Sequence, residues 1–137
     1  EAMFAGLVHD LGVFYLMSRA ANFPELANDK VELHALLVGW HDNIGHALLS
    51  AMGLPESVLE AVRDHETDRE IVAVNNLSDV LFIANKIANR TACWRDAELD
   101  GEIDTSILDT LFDAEALAEI VEESEEEVHS LKAALGG

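Results

Sequence analysis

Apolar residues recur at helical spacing along most of the chain, and no stretch alternates long enough to predict a β-strand. Residues 1–21 form the first such run, which is predicted to be one deeply buried helix ending before Pro24. The same spacing returns in residues 31–38, 58–62 and 71–91. Because helices with an apolar face bury it against one another, the sequence predicts an all-α bundle of about six or seven helices.

Proline, glycine and acidic residues indicate where these helices begin and end. Pro55 is predicted to lie near the first position of a helix. Gly39 is predicted to end an earlier helix. Asp42 or Asn43 would cap the helix that follows it, and Gly53 would close that helix.

The C-terminal part of the chain differs in composition from the rest. Residues 96–104 form an acidic, glycine-containing stretch that is predicted to be a loop, and Asp104 and Asp113 are predicted to cap two further helices. The last helix carries apolar residues at near-heptad spacing, which would pack either on its own domain or on a second copy of the chain. We favour its own domain because the stripe is short, and we expect the acidic run 122–127 to be a solvated outer face.

Composition narrows the classes of partner. The chain has 137 residues, 50% of them hydrophobic, so one compact domain over residues 1–137 is the default prediction. A net charge of −19 argues against nucleic acid and anionic membranes and leaves basic proteins or metal cations. No apolar run reaches the roughly 18 residues that span a bilayer, so a cytoplasmic location is predicted. Cys93 is the only cysteine, which excludes an intrachain disulfide and a thiolate-rich metal cluster.

The most unusual polar residues are His9 and Asp10, which interrupt the apolar run GLVHDLGVFYL. On a helix the side chains of consecutive residues diverge by about 100°, so this pair converges only on an object beside the helix, such as a metal ion. Further histidines and carboxylates occur in WHDNIGH and RDHE, and amides occur in ANKIANR. Imidazole and carboxylate ligands suit iron, manganese, zinc or magnesium. The alternative is a polar network in which these residues hydrogen-bond to one another and bind no cofactor.

Three segments taken in order resemble the HDOD domain, an output domain of bacterial signalling proteins related to the HD and HD-GYP phosphohydrolases. They are GLVHDLG, GWHDNIGHALLSAMGLPESVLEAVRDHE and LFIANKIAN. The resemblance covers residues 3–92, and residues 96–137 would be an acidic helical extension. It implies an HD-like orthogonal helical bundle.

The resemblance also assigns candidate metal ligands. It places His9 and Asp10 on the HD pair, His41 on the histidine before a spaced glycine, and His65 on the first histidine at a helix end. Glu66 stands where a second histidine is usual.

Other positions depart from the family pattern. Asn85 stands where HD-type enzymes have a closing aspartate, and Val13 where a lysine often follows. No Gly-Tyr-Pro motif follows His65. These departures weaken a two-metal phosphodiesterase, which needs charge to hold metals and to neutralise phosphoryl oxygens, but they leave enough ligands for a single ion.

Three functions are compatible with these residues. The first is a non-catalytic signalling or output module of a bacterial regulatory protein, with a degenerate HD metal site, that contacts a protein partner or other domains of a longer chain. The second is a metal-dependent phosphohydrolase of nucleotides or cyclic dinucleotides, for which Arg63, Lys86 and Arg90 are the candidate substrate-binding cations. The third is a dimerisation element that uses the last helix.

Overall fold

The computed structural model describes residues 1–88 and 94–136, and this part of the chain is helical without β-strands, which confirms the all-α prediction. It contains nine helices, more than the six or seven expected. None of the helices searched in these ranges is long and apolar enough to cross a membrane. The helices are α1 (Ala2–Val8), α2 (Leu11–Ala20), α3 (Pro24–Ala27), α4 (Lys30–Ala51), α5 (Glu56–Asp64), α6 (Leu77–Ala88), α7 (Ala97–Asp100), α8 (Ser106–Leu111) and α9 (Ala114–Ala134).

The predicted first helix is two helices, because the chain turns at His9 and Asp10. Asp10 has φ −93° and ψ 15°, outside the helical region. The His9 ring nitrogen Nδ1 lies 2.6 Å from the carbonyl oxygen of Gly6. In a continuous helix that carbonyl would accept from the backbone N–H of Asp10, so the imidazole takes the place of one helical hydrogen bond. The prediction of one continuous helix over residues 1–21 was therefore wrong at its most polar point.

The burial predicted for these first residues was also wrong in large part. Ala5 and Val13 are fully buried, whereas Met3 is 82% exposed and Leu7 is 74% exposed. Only a narrow face of α1 and α2 packs on the rest of the protein.

Helix α4 runs without interruption through Gly39 and Asp42, where the sequence predicted a break. It is capped by Asp29, whose carboxylate accepts a hydrogen bond from the N–H of Glu32 at 2.9 Å. Gly39 has no neighbouring side chain or backbone within 4 Å of where a Cβ would lie, so it is simply tolerated in the helix. The predicted end is correct: Gly53 follows the helix with φ +76°, a conformation that favours glycine.

Helix α5 matches its prediction, with Pro55 at its start and Val58, Leu59 and Val62 buried. Helix α6 begins at Leu77, six residues later than expected, because the side chain of Asn76 accepts the N–H of Asp79 at 2.8 Å. The expected end at residue 91 lies outside the described residues, as do Arg90 and Cys93.

Helices α1, α4, α5 and α6 enclose the apolar core. The polar residues follow this core closely in sequence: His9 comes one turn after Ala5, and His65 one turn after Val62. These two histidines therefore lie at helix ends that border the core. The buried core residues are Ala5, Leu49, Val58, Leu59, Ala61, Val62 and Leu81.

The chain divides into two compact units, Glu1–Ile103 and Asp104–Gly137. In the second unit Asp113 caps α9 by accepting the N–H of Ala116, as predicted, whereas Thr105 rather than Asp104 is the N-cap of α8. The acidic run 122–127 is exposed, as expected. The apolar stripe of α9 is exposed in its later half, where Leu131 is 61% exposed. In the first unit, the stretch predicted to be a loop includes α7, which Asp96 caps.

Candidate metal site

Five of the predicted residues come together and are called here the histidine cluster. His9 ends α1 and Asp10 precedes α2, whereas His41 lies in the middle of α4. His65 ends α5, and Glu66 follows it directly. Residues far apart in sequence thus meet where helices end beside α4.

A backbone contact at Gly12 brings the HD pair beside α4. A Cβ placed on Gly12 would lie 1.8 Å from the carbonyl oxygen of His41 and 2.7 Å from the backbone nitrogen of Gly45. No other residue type fits unless the two helices move apart. Gly12 is therefore a condition for the cluster, because it lets α2, which Asp10 precedes, touch α4 at His41.

The side-chain atoms of the cluster are close enough to share one ligand. His9 Nε2 lies 3.4 Å from Asp10 Oδ2, and His65 Nε2 lies 3.9 Å from Asp10 Oδ1. On the other side, His41 Nε2 lies 3.4 Å from Glu66 Oε2, and His65 Nε2 lies 4.0 Å from Glu66 Oε1. Two sets of potential ligand atoms, each within 4.8 Å of one another, result: His9, Asp10 and His65, and His41, His65 and Glu66.

Hydrogen bonds fix which nitrogen of each imidazole faces the cluster. The Nδ1 atoms of His9, His41 and His65 lie 2.6, 2.8 and 2.5 Å from backbone carbonyl oxygens three or four residues earlier. Because a carbonyl oxygen only accepts, each Nδ1 carries the hydrogen and each neutral ring presents a lone pair on Nε2. Metal-binding histidines are commonly oriented by a hydrogen bond of this kind.

Two imidazoles of the cluster are buried, and burial favours the neutral form of His65. His41 is 1% exposed and His65 is 0% exposed. Burial lowers the pKa of His65, despite the opposing effects of its bond to Val62 and the charge of Glu66, so the neutral ring is favoured. Within the described part of the chain, neither His41 Nε2 nor His65 Nε2 has a hydrogen-bond partner.

The electrostatics of this arrangement fit a bound cation. The lone pairs of His41 Nε2 and His65 Nε2 face carboxylate oxygens, which are also acceptors, so nothing attractive joins them unless a proton or metal lies between. Unpaired buried polar atoms are costly, and a divalent ion would satisfy both kinds of atom at once. Nitrogen and oxygen donors in this combination suit zinc, manganese or iron.

Two residues that the sequence did not predict complete the site. The indole Nε1 of Trp94 donates to Asp10 Oδ2 at 3.0 Å, and its ring centroid lies 4.9 Å from that of His41. The guanidinium of Arg95 stacks over the Trp94 ring at 4.4 Å and forms an ion pair with Glu66. The signal available in the sequence was an aromatic residue next to one of only 8 basic residues. The spacing of these residues did not indicate that Trp94 contacts Asp10.

The two predicted substrate-binding cations that the structure describes do not contribute to the cluster. Arg63 pairs with Asp64 at 2.9 Å and is exposed, and Lys86 pairs with Asp68 at 2.9 Å. Arg90 lies outside the described residues.

The predicted peripheral ligands behave differently from each other. Glu66 belongs to the cluster, whereas Asn85 lies half-buried on α6 and is joined to the described cluster residues by no side-chain hydrogen bond. Comparison of the chain with protein-family models, curated proteins and solved structures found no match in any of the three.

Proposed function

We propose that this chain is a non-catalytic signalling or output module of the HDOD type whose histidine cluster holds one divalent metal ion. The observation that carries the proposal is the pair of buried Nε2 atoms of His41 and His65, which lack partners in the described chain and face carboxylate oxygens. Such an arrangement is unfavourable in isolation and favourable around a cation.

The metal would connect parts of the fold that are separate in sequence. His9 and Asp10 belong to the junction of α1 and α2, His41 to α4, and His65 and Glu66 to the end of α5. An ion held by these side chains would link three segments and stabilise their arrangement by the free energy of binding. A bound divalent ion would also supply Lewis acidity toward water or a phosphoryl oxygen.

The charges around the cluster favour a signalling role over turnover. Phosphoryl transfer needs cations that neutralise phosphate oxygens. Arg63 and Lys86 are paired with carboxylates of their own, and Arg95 is shared between Glu66 and Asp100. Together with Asn85 and Val13 at positions where the family carries charge, this supports a site that binds an ion without cleaving a substrate. The module would then act through a protein partner or through other domains of a longer chain.

Metal analysis of the purified protein tests the metal-binding part of the proposal. We expect close to one zinc, manganese or iron per chain after reconstitution, and loss of binding in His65→Ala and His41→Gln. His46→Ala is the matched control, because His46 is a histidine of α4 outside both ligand sets. If His65→Ala and His41→Gln both fold properly and bind metal as tightly as the parent, the proposed site is refuted.

The alternative is a metal-dependent phosphohydrolase, and the convergence of three imidazoles and two carboxylates is the observation in its favour. Hydrolysis of bis(p-nitrophenyl) phosphate with added manganese distinguishes the two. We expect no turnover above the His65→Ala background. Multiple turnovers that vanish in His65→Ala and persist in His46→Ala would establish the enzyme instead.

A further inference from the structure

Residues 94–100, called here the strap, place the guanidinium of Arg95 beside the proposed metal site. Arg95 is 16% exposed at its side chain and pairs with Glu66 on one side and Asp100 on the other. The neighbouring Trp94 donates to Asp10 and packs on His41. The strap thus touches both carboxylates of the histidine cluster.

We propose that the strap is a latch that competes with the metal: Arg95 supplies the positive charge beside Glu66 when no ion is bound, and leaves Glu66 when a divalent ion binds. The inference rests on the proposed metal site and adds its regulation. Binding of the ion would thereby be converted into movement of the strap.

The competition follows from charge. Glu66 lies within the second set of ligand atoms and is also the carboxylate that Arg95 pairs with. A guanidinium cannot lose its proton, so it remains positive. In a partly buried site it repels a divalent ion that binds the same carboxylate. The ion and Arg95 therefore stabilise the same carboxylate and oppose each other.

Asp100 gives Arg95 a place to remain once it leaves Glu66. The Arg95 guanidinium lies 3.2 Å from Asp100 Oδ1, and the carboxylate is itself fixed by the N–H of Asp96 at 2.8 Å and by His34 at 2.9 Å. Burial alone raises the pKa of Asp100, but the Asp96 N–H, the Arg95 charge and the His34 hydrogen bond together hold it below its ordinary value. The far end of the strap is thus an anionic anchor that persists while the near end moves.

Trp94 makes the movement measurable. The chain has two tryptophans, so a Trp40→Phe background leaves Trp94 as the only one. In that background, zinc is titrated against Arg95→Met and against Arg63→Met, a control arginine that pairs with Asp64 on an exposed helix face. Zinc affinity is obtained by chelator competition, and Trp94 emission is recorded in the same samples.

We expect Arg95→Met to bind zinc roughly tenfold more tightly or better than the parent, and Arg63→Met to equal it. Zinc should change the Trp94 emission of the parent, and the change should be smaller in Arg95→Met because its strap starts unlatched. Arg95→Lys keeps the charge and should stay closer to the parent. If Arg95→Met does not fold by circular dichroism, Arg95→Gln replaces it.

The outcomes separate this inference from the proposed function. Zinc binding by the parent with equal or weaker binding by the neutral Arg95 variants overturns the latch and leaves the metal site standing. Absence of zinc binding in all chains overturns both. Binding only by the neutral variants supports the competition between Arg95 and the ion, but it overturns metal binding by the parent chain and with it the release of Arg95 from Glu66.

Discussion

Two buried polar clusters in the first unit differ in how their side chains are hydrogen-bonded. In one, Asp79 is 8% exposed and accepts hydrogen bonds from the N–H of Asn75 at 3.0 Å and from Arg69 at 3.4 Å. The Arg69 guanidinium also lies 5.0 Å from the centre of the Phe82 ring. Both carboxylate oxygens of Asp79 therefore have donors supplied by the protein itself.

The histidine cluster has acceptors in excess instead. Asp10 and Glu66 do receive donors from Trp94 and Arg95, yet the Nε2 atoms of His41 and His65 receive none from the described residues. In the Asp79 cluster the unpaired buried atom among the described residues is a donor, Arg69 Nε, whereas the unpaired imidazole nitrogens of the histidine cluster are acceptors. An excess of buried acceptors favours a cation from outside, and an unpaired donor does not. The contrast separates a structural polar cluster from a candidate binding site, and it can be tested from either side.

The largest effect is expected from Gly12→Ala, which should disrupt the geometry of the histidine cluster without affecting the cluster around Asp79. The new Cβ would overlap the His41 carbonyl oxygen, so α2 must move off α4. We expect a loss of about 3 kcal/mol in the free energy of unfolding, together with loss of zinc binding. Urea denaturation and chelator competition measure the two effects.

Gly39→Ala is the matched control for this substitution, because it adds the same methyl group to α4 where nothing lies within 4 Å. It should stabilise the protein by up to about 1 kcal/mol. Equal effects of the two alanines would contradict the close contact between α2 and α4.

Zinc itself should stabilise the protein through one cluster only. At free zinc 100 times above its dissociation constant, the free energy of unfolding should rise by about 2.7 kcal/mol. His65→Ala should abolish this increment, whereas Asp79→Asn should lower the starting stability and keep the increment. Thermal melts with and without zinc decide the point, and an increment that survives in His65→Ala would mean that zinc binds elsewhere.

Removing one carboxylate from each cluster, in the absence of metal, compares what the two clusters contribute to the free energy of unfolding. Asp79→Ala leaves the Asn75 N–H and Arg69 without their acceptor and should cost about 2–3 kcal/mol. Asp10→Ala loses the Trp94 hydrogen bond but also removes an acceptor that faces His65, and should cost about 1 kcal/mol. Urea titrations in a chelating buffer give both values. A larger cost for Asp10→Ala than for Asp79→Ala would indicate that the histidine cluster is a structural network after all.

Local signals in the sequence predicted some elements and not others. Pro55 and the stripe of Val58 and Val62 predicted α5 because the causes, a fixed φ and an apolar face, lie within the helix. Gly39 misled, because a glycine is tolerated inside a helix that packs well on both sides of it. The break at His9 depends on a ring that competes for a backbone carbonyl, which periodicity does not show.

The site was predictable to the same limited degree. The HDOD resemblance selected the five residues of the histidine cluster, and the structure brings them together. It did not select Trp94 and Arg95, which reach Asp10 and Glu66 only because the chain folds back over them. Nor did it show that Arg63 would be paired with its neighbour Asp64, since side-chain pairing depends on which way each helix face points.

The smallest effect is expected at the ion pair between the exposed Lys30 and the half-buried Asp96 of the strap, which lie 2.6 Å apart. The hydrogen bond and charge of Lys30 lower the pKa of Asp96, so what this pair adds to stability is fully present above about pH 3.9 and is lost as the pH falls through the folded-state pKa. In Lys30→Met, the Asp96 carboxyl should titrate at a higher pH by NMR, and added salt should shrink the difference. Zinc affinity should not change, because Lys30 is exposed and pairs with Asp96, whereas Arg95 pairs with Glu66 of the histidine cluster. A zinc affinity that rises as much in Lys30→Met as in Arg95→Met would mean that anchoring of the strap, and not the charge beside Glu66, governs access to the histidine cluster.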